Sequence, residues 1–204
     1  MIAIVNYGMG NIASVSNALK SLGHDICITY SYDELAKASH IILPGVGSFQ
    51  AAVTEINRRG LKDSLCELAK RKPILGICLG MQLLFSDGYE GGKSKGLNLI
   101  PGTVEKIQTN LILPHIGWNT LNIQNSQFKN LQNKHVYFVH SFEVKTKNEY
   151  IMATTNYGVD IPAIVRKDNV YGMQFHPEKS GVVGRQLLDI FLQSTVSRMQ
   201  EVRR

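Results

Sequence analysis

Apolar residues in this chain alternate between short continuous runs and helical spacings. "IAIVNY" has the length of a strand, and the "NIASVSNALKSLG" that follows spaces its apolar residues along one face of a helix. The pairing recurs with "DICITY" before "SYDELAKAS", "HIILPG" before "SFQAAVTEINRRGLKDSLCELAKR", and "KPILGI" before a helix that carries Gln82. Alternation of this kind predicts right-handed βαβ units around a parallel sheet. The second half is richer in strands: "HVYFVHSFEV", "YIMATTNY", "IPAIVRK" and "NVYGMQFH". A last helix, "GVVGRQLLDIFLQSTVSRM", places Val183, Leu187, Leu188, Phe191 and Val196 on roughly one face. Between the halves, "SDGYEGGKSKGLN" reads as a glycine- and lysine-rich surface connection. The expected fold class is α/β, with a mostly parallel central sheet flanked by helices and additional strands in the C-terminal half.

One junction in this pattern carries chemistry. Cys78 stands between an apolar strand and a helix start, as Gly76-Ile77-Cys78-Leu79-Gly80. That is the cysteine form of the nucleophile elbow, a strained strand-to-helix turn that lifts its central residue out of the sheet. The flanking glycines avoid crowding the tight turn, and a helix N-terminus behind the sulfur favours a thiolate. A buried core cysteine is the alternative for any lone Cys. A thiol nucleophile also needs a base and a group to orient that base. "YGMQFHPEKS" offers His176 and Glu178 around Pro177. Proline holds its predecessor extended, and residues two apart in an extended chain point the same way, so the carboxylate can fix the imidazole tautomer. For an oxyanion hole, the Leu79 N–H supplies one donor. The glycine-rich loop Pro44-Gly45-Val46-Gly47 can supply a second, although a plain tight turn is its simpler reading.

Composition narrows the class without changing this picture. The 204 residues suit one domain with a sizeable core, and 44% hydrophobic with 19% charged residues is ordinary globular usage. The formal charge of +6 is scattered in twos and threes, as at Arg58-Arg59, Lys70-Arg71-Lys72 and Arg203-Arg204, with no concentrated patch that would point to nucleic acid. No apolar run approaches the roughly 20 residues that span a bilayer, and "MIAIVNYGMG" reads as a first strand rather than a signal peptide. A cytoplasmic protein that binds neither nucleic acid nor membrane is expected. Cys27, Cys66 and Cys78 form no CxxC pair, which argues against a disulfide framework or a metal site.

"PGVGSF", "GICLGMQLLF" and "QFHPEKS", in this order and spacing, resemble the class I (triad-type) glutamine amidotransferases. "NYGMGN", "LPHIGWN", "YFVHSF" and "HPEKSGVVGRQLL" further resemble the glutaminase subunits of imidazole glycerol phosphate synthases, over essentially the whole chain. The resemblance implies a single flavodoxin-like amidotransferase domain over 1–204, glutamine as substrate, no cofactor and no metal. It implies that Cys78 attacks the glutamine amide, with His176 and Glu178 completing a triad. It implies oxyanion donors at Leu79 and, after a peptide flip, at Val46 beside Gly47. Gln82 matches a position that holds substrate glutamine, with Gly45 beside it. Asn11, Trp118 and Lys179 match the surface that faces a (β/α)8-barrel cyclase, the partner in a heterodimer that forms imidazole glycerol phosphate and an aminoimidazole carboxamide ribonucleotide in histidine biosynthesis. Tyr137 and His140 fall near the site, although a histidine in an apolar strand is commonly structural.

Ile116 and Asn6 depart from the usual methionine and aspartate of these subunits. They leave open a paralogous glutaminase that supplies ammonia for surface-sugar amidotransfer. From another class comes a dinucleotide-binding reading, since Gly8-Met9-Gly10-Asn11-Ile12-Ala13 fits G-x-G-x-x-A after the first strand, with Asp33 downstream. It leaves the elbow and the His-Pro-Glu unused. An inactive regulatory subunit and a stand-alone cysteine hydrolase are the remaining alternatives.

Overall fold

A computed structural model describes the backbone of residues 1–201 and the side chains of residues 1–193; Val196 and Arg203-Arg204 lie outside the described side chains. Strands β1 (Ile2–Val5), β2 (Ile26–Thr29), β3 (His40–Leu43) and β4 (Ile74–Ile77) alternate with helices α1 (Ile12–Ser21), α2 (Tyr32–Lys37), α3 (Phe49–Arg58) and α4 (Leu61–Ala69). α5 (Leu79–Leu83) leaves β4 after one residue. The single helical stretch expected over 48–71 is two helices, because Gly60 takes φ 65°, a left-handed turn that stops α3 and starts α4.

Ten strands follow: β5 (Asp87–Gly88), β6 (Ser94–Lys95), β7 (Thr103–Lys106), β8 (His115–Thr120), β9 (Asn122–Ile123), β10 (His135–His140), β11 (Phe142–Lys145), β12 (Ile151–Asn156), β13 (Asp160–Lys167) and β14 (Val170–Met173), before α6 (Gly181–Glu201). The main sheet has the order β2-β1-β3-β4-β14-β13-β12-β9. Its first five strands are parallel and the last three run antiparallel. The expected α/β class, a mostly parallel sheet extended by C-terminal strands, is therefore the fold. Every residue of β1, β3, β4 and β14 is buried, as a sheet covered on both faces requires. One apolar layer gathers around Phe49, Leu65 and Phe85, the other around Leu19, Phe138, Phe175 and Phe191.

Two readings of the second half need correction. "HVYFVHSFEV" is not one strand: it divides at Ser141, β10 pairing with β8 and β11 with β7. The segment "SDGYEGGKSKGLN" is more than a connection, since Asp87 pairs with Lys95 and Gly88 with Ser94 in a small hairpin. β7 and β8 went unpredicted because "TVEK" and "HIGWNT" carry too few apolar residues for the period to show. No described helix is long and apolar enough to cross a membrane.

Candidate active site

Cys78 takes φ 54° and ψ −112° at the turn from β4 into α5, a conformation that costs a non-glycine residue energy. The glycines on either side follow from packing. A Cβ on Gly80 would stand 1.8 Å from the Leu43 carbonyl oxygen, and one on Gly76 would stand 2.4 Å from the Gly80 carbonyl oxygen. β14 runs parallel beside β4 with Met173 opposite Ile77, and the Cys78 N–H donates to the Met173 carbonyl at 2.7 Å. The chain leaving β14 is thereby directed over the elbow, and it carries His176.

His176 Nδ1 and Glu178 Oε1 lie 2.7 Å apart, with the two side chains 2% and 1% exposed. His176 is extended, but residues Pro177–Lys179 form a 3₁₀ turn, so the contact is made across a turn rather than along a strand as expected. Ser180 clips this turn to β10: its Oγ donates to the His176 carbonyl at 2.7 Å and accepts from the Tyr137 N–H at 3.0 Å. With Nδ1 donating to Glu178, His176 Nε2 is left buried without a hydrogen-bond partner, on the wall of the cavity that Cys78 also lines. Burial disfavours the charged ring, but Cys78 and Glu178 together outweigh it and raise the His176 pKa to about 9. The Cys78 sulfur lies 3.9 Å from the Val139 carbonyl oxygen and 3.9 Å from Gln174 Nε2.

The cavity, of about 390 Å³, brings together Val46, Gly47, Cys78, Leu79, Gln82 and His176. Gly45 does not line it. It is buried behind the elbow, where a Cβ would meet Gly80 N at 2.7 Å and the Tyr7 hydroxyl at 2.8 Å. That hydroxyl donates to the Pro44 carbonyl at 2.8 Å, and burial, with Cys78 second, pushes the phenol pKa up. Gln82 Nε2 donates both to the Phe142 carbonyl at 3.2 Å and to Gln174 Oε1 at 3.1 Å.

Other lining residues went unassigned by the sequence reading: Glu90, Pro114, Val139, Ser141 and Phe142. Glu90 accepts from the Phe49 N–H at the start of α3, at 2.7 Å. Nothing marks it in a glycine-rich loop. Gln174 did carry a signal, being the one polar side chain in "VYGMQF". His140 is both lining and structural: Nδ1 meets the Phe142 carbonyl at 2.8 Å and Nε2 meets His115 Nδ1 at 3.1 Å. His115 Nε2 in turn lies 3.3 Å from Asn119 Nδ2. The Phe142 carbonyl only accepts and the Asn119 amide nitrogen only donates, so both imidazoles are neutral tautomers in a one-way chain. Burial holds both pKa values at about 4.

Trp118 is 56% exposed, so it is not core packing. Its edge meets Tyr137 across the β8–β10 pair, with ring centroids 6.0 Å apart, and Lys179 Nζ stands 5.9 Å from the Tyr137 ring. Asn11 caps α1, its side chain accepting from the Ser14 N–H at 3.3 Å, and α1 packs against the Pro177–Lys179 turn. The glycine fingerprint at 8–13 faces protein, since a Cβ on Gly10 would touch Pro44 at 3.3 Å. Among the described residues no three His, Cys, Asp or Glu side chains are grouped to hold a metal.

Residues 3–193 match the family model described as glutamine amidotransferase class-I. The imidazole glycerol phosphate synthase subunit HisH of Exiguobacterium sibiricum is 46% identical over 98% of this chain and 99% of its own length. That of Listeria innocua is 46% identical over 97% of each. Among solved structures, a glutamine amidotransferase crystal structure superposes with a TM-score of 0.77 at 20% identity, over 95% of this chain and 98% of its own. PurLQS from Thermotoga maritima gives 0.75 at 19%, over 95% and 97%. The fold agrees at low identity and the sequence agrees at high identity over nearly its full length: the chain belongs to the class-I glutamine amidotransferases and, within them, to the HisH family.

Proposed function

We propose that this chain releases ammonia from glutamine at Cys78 and delivers it to a (β/α)8-barrel cyclase, as the glutaminase subunit of an imidazole glycerol phosphate synthase in histidine biosynthesis. The observation that carries the reading is Cys78 at a positive-φ elbow, sharing one cavity with a His176 whose far nitrogen is held by Glu178. In this reading His176 takes the thiol proton and the sulfur attacks the side-chain carbonyl carbon of glutamine. The developing oxyanion meets the Leu79 N–H, one of the first amides of α5 and so without an intrahelical partner, and the Val46–Gly47 backbone across the cavity. His176 returns the proton to the leaving nitrogen, and ammonia departs from a thioester. Water, deprotonated by the same imidazole, then frees glutamate. Glu90 is the carboxylate on the cavity wall suited to the substrate's α-ammonium.

Trp118 and Lys179 stand exposed on either side of the half-buried Tyr137, on the face next to the His-Pro-Glu turn, which suits a partner surface. The relatives carry the synthase name, which favours the histidine-pathway acceptor over sugar amidotransfer. A cytoplasmic location goes with this reading, since both substrates are cytoplasmic metabolites. The test measures product formation by the chain with its cyclase, from glutamine and from added ammonia. Cys78→Ala should lower the glutamine-dependent rate by at least about a thousandfold and spare the ammonia-dependent rate. Glutamine-dependent turnover by that variant would remove Cys78 as nucleophile. Glutamate release that the ribonucleotide-bound cyclase does not stimulate would remove the partner.

A further inference from the structure

Besides His176, the Cys78 sulfur meets two polar groups at equal distance and of opposite character. The Val139 carbonyl, 3.9 Å away, can only accept, so it suits a thiol S–H. Gln174 Nε2, also 3.9 Å away, can only donate, and a donor is held more strongly by a thiolate than by a thiol. Which end of the Gln174 amide faces the sulfur follows from its neighbours. The Phe142 carbonyl requires a donor, so Gln82 turns its nitrogen to it at 3.2 Å. The second hydrogen on that nitrogen points at Gln174, 3.1 Å away, which must answer with its oxygen. The Gln174 nitrogen is then left for Cys78. Gln174 is wholly buried and its backbone N–H is tied to the Ala163 carbonyl at 2.9 Å, so the residue is held in place beneath the sulfur.

We propose that Gln174 is a further catalytic residue of this site, an amide donor that holds the Cys78 sulfur in its ionised form, with Gln82 and the Phe142 carbonyl fixing its orientation. The inference rests on Cys78 being the nucleophile. It adds a donor that the triad and the oxyanion loop do not provide. The sulfur gives its proton to His176 Nε2, turns from the Val139 carbonyl, and keeps the Gln174 N–H as a fixed partner. The titratable groups around it are Tyr7, Glu90, His140 and His176, with Glu178 behind His176.

The test reads the pH dependence of iodoacetamide alkylation at each cysteine of the full-length chain by peptide mass spectrometry. Cys66, half-buried and hydrogen-bonded to the Leu97 carbonyl, serves as an internal check on the fold. Gln174→Glu keeps the acceptor for Gln82 and replaces the donor; Gln174→Met keeps the length and removes both. In Gln174→Met the Cys78 profile should move to higher pH by about one unit, a tenfold slower reaction at neutral pH, and in Gln174→Glu, whose carboxylate adds like-charge repulsion, by more, with the Cys66 profile in place in both. An unmoved Cys78 profile beside an unmoved Cys66 profile would reduce Gln174 to packing. Wild-type Cys78 that alkylates like an ordinary exposed thiol would instead sink the nucleophile reading itself. Should neither variant fold, the side-chain ¹⁵N resonance of Gln174 in the wild-type protein decides: it should titrate together with Cys78 alkylation, and a resonance that stays fixed overturns the proposal.

Discussion

At the scale of single residues, this site depends on atoms that are missing as much as on those present. Gly80 has no Cβ because the Leu43 carbonyl oxygen occupies its place at 1.8 Å, and that carbonyl belongs to the strand leading into the Pro44–Gly47 loop. Gly80→Ala therefore forces backbone apart on two elements at once. Equilibrium urea unfolding should show a loss of about 1–3 kcal/mol or more, typical of overpacking. A change under about 0.5 kcal/mol, the size of a surface substitution, would mean the junction yields easily. The spacing of the two glycines around Cys78 was legible in the sequence. The atoms that demand them were not, because Leu43 lies 37 positions before Gly80.

At the scale of elements, the His-Pro-Glu turn is tied to β10 twice, by the His176 N–H donating to the Tyr137 carbonyl at 2.9 Å and by the Ser180 hydroxyl. Ser180 Oγ joins the His176 carbonyl to the Tyr137 N–H, bridging the turn after β14 to β10. In Ser180→Ala the His176 carbonyl keeps the Lys179 N–H at 3.0 Å, but the Tyr137 N–H loses its acceptor. The expected cost is about 1–3 kcal/mol of stability, the range for an orphaned buried donor. Glutaminase kcat should fall with it, because the imbalance loosens the strand beside His176. Stability at the wild-type level in thermal unfolding would show that water replaces the hydroxyl. The sequence showed the strands on either side of this contact, but a strand that divides at Ser141 between two sheets leaves no break in hydrophobic pattern. β10 and β11 read as one run for that reason.

At the scale of the molecule, four buried histidines shape stability against pH. Burial, above all, lowers His40, His115 and His140 to about 4 from an ordinary 6.5. Between those values the unfolded chain takes up protons that the folded one refuses, so stability falls as pH drops from 6.5 towards 4. His176 works the other way: its folded value of about 9 lies above 6.5, so its contribution is complete below 6.5 and is lost as pH rises through 9. Unfolding midpoints measured across this range should peak near pH 6.5. His176→Asn should flatten the alkaline side while sparing the acid side. A curve level between pH 7 and pH 4 would contradict the neutral His115–His140 chain.

The sequence by itself determined the alternation of strands and helices, the elbow at Cys78 and the His-Pro-Glu whose histidine shares its cavity. These are local: hydrophobic period, glycine spacing and the geometry around a proline act within a few residues and leave their mark there. Tertiary structure alone decided that β14 inserts beside β4, which brings residues almost a hundred positions apart onto one cavity. It alone turned the Gln174 amide towards the sulfur, moved Glu90 from a glycine-rich loop to the cavity wall, and placed Gly45 behind the elbow rather than in the site. Such contacts depend on which strands pair and on the direction of each carbonyl. Neither quantity has a period along the chain, so neither could be read from it.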